Sequence, residues 1–311
     1  MSIACAERLG ALPNLSMALL NQSVVLRTMG ALPRASEVSQ RGLKLLGEGA
    51  DGAQHHLARL MHARNQAETG HLGLAQQELD DLLPHFEAMG APFWVHAVRG
   101  TQVRLWQHLG QHARALKALQ LDDTGLPAWM QAGRLWLRLE VEQWLGLPAA
   151  EQTAEQALAL LDADANRRTA NAVRGLRFAA PLAVLEQSPA LASSARGLEL
   201  FGALAALHMH RCTAALALQR HGEAAAAAHE LVGLLQEGYV PDFVYTPEAW
   251  LVAGKALLAA SDSAAAQDAL TAGQRWVRTL ALPQVPAPFI DSFLHRNPVN
   301  RELLALVPSP P

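Results

Sequence analysis

The chain has 311 residues, half of them hydrophobic and 17% charged, with a formal charge of −3. That length is long for one compact core and points to two globular domains or one elongated repeat array. The near-neutral balance excludes the broad basic field of nucleic-acid binders, so nucleic acid is not an expected direct partner.

Much alanine and leucine with only two tyrosines favours helix over strand, and the expected class is all-α. The opening stretch "MSIACAERLGALPNLSMALL" has no basic leader followed by a continuous apolar run, and no run of about 18 uncharged apolar residues follows it. No membrane partner and a cytoplasmic location are therefore expected. The two cysteines, Cys5 and Cys212, form no C-x-x-C pair and suit a reducing compartment.

In chain order, one phrase recurs: "MGALPRASE" at Gly30, "TGHLGLAQQEL" at Gly70, "LGQHARALKAL" at Gly110 and "RHGEAAAAAHEL" at Gly222. Gly30, Gly70, Gly110 and Gly146 follow one another at 40, 40 and 36 residues, and Gly222 comes two such steps later. The skipped beat falls near residue 184, where Ser188 and Pro189 are predicted to cap and open a helix. A last beat falls at Ser261. Each beat holds two apolar-periodic segments around a short break, which predicts a helical hairpin. Residues 53 to 69 and 71 to 88 illustrate it, with Leu57, Leu60, Met61 and Arg64 on one stripe and Leu72, Leu79, Leu82 and Leu83 on the next. A lone hairpin leaves one side open to water, so about seven stacked hairpins are predicted, each touching only its neighbours in an extended array. Residues 1–285 are expected to form that array, 286–306, which break the period, a C-terminal cap opened by Asn297 and Pro298, and 307–311 a disordered tail.

Motifs that carry chemistry are missing. No G-x-x-x-x-G-K-[ST] loop and no G-x-S-x-G elbow occurs. "HELVG" (229–233) has Gly233 where a zinc protease needs its second histidine, and "DADANR" (162–167) has Arg167 where a calcium loop needs glycine. His208 and Cys212 share a helix face, but two ligands are too few for a metal site. His55, His56 and His62 read as helix-surface histidines. The expectation is a non-enzyme with no catalytic residue, cofactor or metal.

Five of seven tryptophans fall between residues 94 and 144. Trp94, Trp106 and Trp129 read as core packing between helices. Trp136 and Trp144 share a helix with Arg134, Arg138, Glu140 and Gln143, a mixture typical of interaction hot spots. The arginines of "NRRTANAVRGLRF" (166–178) read by default as solvated charge.

The unit "WLVAGKALLAASDSAAAQDAL" resembles the tetratricopeptide repeat family, with Trp250, Gly254, Ala266 and Leu270 at that family's bulky, small, small and bulky positions. Trp106, Gly110, Ala115 and Leu119 match a neighbouring subset, and Ala35, Ala75, Ala115 and Ala227 all lie five residues after their glycines. The terminal "FLHRNPVNRELLAL" is similar to the end of the helical-repeat arms of large bacterial signal-transduction ATPase regulators, including transcriptional activators of the maltose-activator kind. These resemblances imply an α-solenoid with a C-terminal capping helix, serving as the sensor arm of a longer regulator. The first helices of its hairpins would line a concave groove. Carried over position by position, the groove residues are Arg64, Arg104, Trp136, Glu140, Arg174 and Phe178, and the implied partner is a protein or peptide with acidic and hydrophobic features. A helical repeat for a small-molecule or nucleic-acid ligand, and an enzyme with a scattered site, stay open as other classes.

Overall fold

The computed structural model describes residues 12–47, 52–120, 126–160, 165–241 and 244–306. Cys5, the acidic start of "DADANR" and the tail at 307–311 lie outside the described residues.

Every regular element among the described residues is helical. In chain order they are α1 (Leu12–Thr28) and α2 (Leu32–Leu46), α3 (Ala53–Glu68) and α4 (Leu72–Ala88), α5 (Pro92–His108) and α6 (His112–Ala118), and α7 (Ala128–Trp144) and α8 (Ala150–Ala159). There follow α9 (Ala165–Gly175) and α10 (Pro181–Gly197), α11 (Phe201–Ala217) and α12 (His221–Gln236), and α13 (Thr246–Ala259) and α14 (Ser263–Arg275). Short π- and 3₁₀-helical pieces then lead from Trp276 to Arg296, and α15 (Pro298–Leu306) ends the described chain. Each helix packs on the next, and α1, α3, α5 and α7, like α9, α11 and α13, also touch one another in order. These odd-numbered helices therefore share an inner face.

The predicted turns at Gly30, Gly70, Gly110 and Gly146 all have positive φ. Two later turns differ from expectation. Gly222 lies inside α12, and the left-handed residue of that turn is Gln219, with φ 58°. Ser188 and Pro189 open no helix; both lie inside α10, where the Ser188 hydroxyl donates back to the Val184 carbonyl at 2.5 Å. The break comes earlier, in the 3₁₀ turn Leu176–Phe178, and Pro181 takes the first turn of α10 because the N–H it lacks would have no helical partner there.

Small residues set the spacing within pairs. Ala35, Ala75 and Ala115 are fully buried, and so are Ala224 and Ala266, each five residues after the left-handed Gln219 or Ser261. At Gly254 a Cβ would stand 2.5 Å from Leu270 Cγ, so the small residue there lets α13 and α14 approach closely.

The expectation that each unit touches only its neighbours is corrected. Gly202 N–H donates to the Met29 carbonyl at 2.9 Å and Val240 N–H to the Gly30 carbonyl at 2.8 Å, joining the first helical pair to the start of α11 and the end of α12. Gly30 and Gly202 allow this: a Cβ on Gly30 would lie 2.5 Å from Gly202 Cα. Farther on, Asn297 Nδ2 donates to the His108 carbonyl at 3.0 Å and Ser292 Oγ to the Leu109 carbonyl at 2.7 Å. Val277, Ala281, Val285, Phe289, Phe293 and Leu303 enter the same core as Leu60, Leu79, Phe86 and Leu105. The C-terminal segment thus covers α14 and also serves as core for the second and third pairs. The array turns back on itself because its ends carry apolar surface that only this closure buries.

Candidate functional site

Opposite charges alternate along the inner face. From α1, Arg27 Nη2 reaches Glu68 Oε1 on α3 at 3.5 Å. From α5, Arg104 grips the same carboxylate with two bonds, Nε to Oε1 at 2.5 Å and Nη2 to Oε2 at 3.0 Å, and its Nη1 stands 3.5 Å from Glu140 Oε2 on α7. After α9, Arg177 donates to Gln143 Oε1 at 3.0 Å and to Glu248 Oε1 on α13 at 2.7 Å. Glu68, Arg104 and Glu140 are all buried, where an unpaired charge would be costly and a counter-ion on the next pair removes most of that cost.

Local fields follow from this order. Burial alone would raise the Glu68 carboxyl, but Arg104 and then Arg27 hold it down at about 2. Burial pushes the Glu140 carboxyl up, against the pull of Arg104 and Arg177. Burial lowers the Arg64 guanidinium to about 9, and neighbouring Arg27 adds to the effect. Two buried histidines stay neutral: burial takes His108 down to about 4 and His210 to about 3.

Of the six residues assigned to the groove, Trp136, Glu140, Arg174 and Phe178 come together, and three of the six are not open to solvent. Arg64, Arg174 and Phe178 are half-buried, but Arg104, Trp136 and Glu140 are core residues. Arg174, Phe178 and His210 close around Trp136 and Glu140, and Arg104 lies between Glu68 and Glu140. Trp136, Glu140, Arg174 and Phe178 come together with Arg177, His210 and Val244 around a cavity of about 30 Å³, room for about one water. Trp136 stacks on Phe178, ring centroids 6.2 Å apart, and Arg174 Nη1 donates to Asn171 Oδ1 at 3.0 Å.

The tryptophan assignment is reversed at two positions. Trp129, expected in the core, is 39% exposed, with the Arg167 guanidinium 4.8 Å from its ring centre. Trp136, expected as a surface hot spot, is 5% exposed. His56 and His62 are buried too, the latter bonded to Ser39 Oγ at 3.1 Å and Gln66 Nε2 at 3.0 Å. Cys212 is buried, its thiol pushed up to about 12 by that burial, and no group of three or more metal-binding side chains occurs among the described residues. None of the described helices is long and apolar enough to cross a membrane.

Where the ladder ends at Arg177 and Glu248, the inner face opens into a cleft of about 1080 Å³. Its walls are the end of α7, the start of α8, and faces of α11, α13 and α15. Trp144, Leu147, Leu216 and Leu251 give it an apolar lining, and Lys255 on α13 pairs with Glu302 on α15 at 2.7 Å across its rim. Sequence reasoning missed Arg177 and Glu248 as site residues. The signal was present: Glu68, Arg104 and Glu140 recur at 36 residues with alternating sign, and Arg177 follows at 37.

Comparison of the chain with protein-family models and with curated proteins returns no match.

Proposed function

We propose that this chain is a non-catalytic recognition module of the tetratricopeptide kind, built of seven helical hairpins and a C-terminal capping segment. It receives a segment of a protein partner on its inner face. The cleft between α7 and α15 supports this reading: it is large, apolar-floored and rimmed by charge, and interaction sites combine those features. A place as the sensor arm of a bacterial signalling or transcriptional regulator rests on the resemblance of "FLHRNPVNRELLAL". In this fold Asn297 of that stretch bonds the His108 carbonyl and Asn300 accepts from Tyr245 Oη at 3.0 Å, so the conspicuous residues seat the C-terminal segment.

The hydrophobic half of the expected partner has a place in the cleft. The acidic half rested on a row of open arginines, of which Arg104 is already paired with Glu68 and Glu140. The reading is tested by pull-down with the wild-type chain and with Thr213→Trp, which fills the cleft from an exposed position on α11. A partner captured by the first and lost by the second, with helicity and melting unchanged, is the expected result; equal capture places recognition elsewhere.

A further inference from the structure

Among the charged groups of the cleft, acceptors outnumber donors. Glu151, Glu248 and Glu302 line it against Arg177 and Lys255, and both cations are committed: Arg177 to Glu248 Oε1, Lys255 to Glu302. Two acceptors are left over. The second carboxylate oxygen of Glu248, Oε2, is buried and has no hydrogen-bond partner among the described residues. Glu151, at the exposed start of α8, has no ion pair among them either. A buried anionic oxygen with no donor is a costly feature for a fold to retain. Arg177 has no further carboxylate partner to offer: it donates to Gln143 Oε1 and to Glu248 Oε1, and Glu140 behind it is paired with Arg104.

We infer that the cleft takes a cationic peptide segment: a lysine or arginine side chain donating to Glu248, with its apolar neighbours lying on Trp144, Leu147, Leu216 and Leu251. This assignment rests on the recognition reading above and replaces the acidic partner expected from sequence. Charge complementarity selects the head group, because an ammonium or guanidinium supplies the missing donors and a carboxylate would meet Glu248 and Glu151 with like charge. The extent of the apolar wall favours a segment over a small amine: Trp144, Leu147, Leu216 and Leu251 line a cleft of about 1080 Å³, and a small amine would leave most of that wall without a contact. Trp144, half-buried on the wall, offers an aromatic face beside the cation.

The test uses the full chain and three N-acetylated, C-amidated hexapeptides of leucine with one central arginine, glutamine or glutamate, titrated by calorimetry, with hexylammonium as a fourth probe. The arginine peptide is expected to bind at least tenfold more tightly than the glutamine peptide, and the glutamate peptide more weakly still. Glu248→Gln should abolish that preference and Thr213→Trp should abolish binding. Because Glu248→Gln disturbs the Arg177 pair, Glu151→Gln at the exposed rim serves as a second variant and should narrow the preference a few-fold without changing the melting temperature. Equal binding of all three peptides, lost in Thr213→Trp, overturns the cationic assignment and leaves the recognition reading standing. Binding of hexylammonium with no peptide binding overturns it in favour of a small-amine site. No binding of any probe to folded wild-type chain overturns the cationic assignment, and the pull-down then decides the broader reading alone.

Discussion

The inner face from α1 to α7 and the cleft from α7 to α15 are built from the same kind of position, and they meet water differently. In the first stretch Arg27, Glu68, Arg104 and Glu140 each find an opposite charge on the adjoining pair, and Glu68, Arg104 and Glu140 are sealed in. In the second, Arg177 and Glu248 pair at 2.7 Å while 17% and 15% exposed, and the apolar wall beside them stays uncovered. Inner-face position alone therefore does not make a binding surface. Where the array supplies its own counter-ions and closes, the face becomes core; where acceptors are left over and a wall is missing, it stays open, as the proposed site requires.

Cutting the chain after residue 285 gives the largest expected effect. Removing Phe289, Phe293 and Leu303 uncovers the core shared with Leu60, Phe86 and Leu105. Hydrogen exchange should then rise in α3 to α6 as well as in α13 and α14; loss confined to α14 would mean the segment is only an end cover. Acid comes next. His108 and His210, held at about 4 and 3, are neutral in the fold, whereas the unfolded chain takes up those protons near 6.5. Glu68, held at about 2, loses its contribution as pH falls from about 4.5. All three act in one direction, each unit of separation being worth about 1.4 kcal/mol, and the raised Glu140 carboxyl offsets part of their sum. The melting temperature should start to drop below pH 6.5 and fall most steeply below 4.5, and a flat profile from 7 to 4 would contradict the sealed face.

A smaller effect separates the two stretches directly. Arg104→Ala takes the counter-ion from buried Glu140 and leaves buried Glu68 only the longer contact with Arg27, and should cost about 3–5 kcal/mol in urea unfolding, whereas Arg177→Ala, at the open end, should cost about 1.5–3 kcal/mol. Equal costs would erase the distinction. Least of all, Trp129→Ala gives up an exposed contact with Arg167 worth about 0.5–1 kcal/mol, while Trp136→Ala empties a buried site at about 3–5 kcal/mol. The reverse order would restore the tryptophan assignment made from sequence.

The all-helical architecture and most turns were legible because a hairpin that cannot bury its own stripe must repeat, and repetition shows as a period. Gly222 misled because Gln219, a residue with no left-handed signature, takes the turn three positions earlier. Ser188 and Pro189 misled because a serine hydroxyl bonded back to the preceding turn lets such a pair sit inside a helix. At the site, the face of each helix was readable from its periodicity, and its exposure was not. Exposure depends on contacts such as Asn297 with His108, 189 residues apart, which local pattern does not encode. The alternation of Glu68, Arg104 and Glu140 carried that information in principle, since opposite charges at one period can neutralise each other only if the units are drawn together.

The two backbone bonds between Gly30, Gly202 and their neighbours bear on how such a chain can evolve. An open array gains or loses a unit by duplication or deletion with little disturbance, because each unit needs only a neighbour of the same shape. Here the turn at Gly30 must meet Gly202 and Val240, and the turn at Gly110 must meet Ser292. One unit more or fewer between them would rotate every one of those partners out of reach. Such a seam would hold the number of helical pairs fixed and leave substitutions in the cleft, and in loops facing away from the closure, as the changes that disturb the fold least.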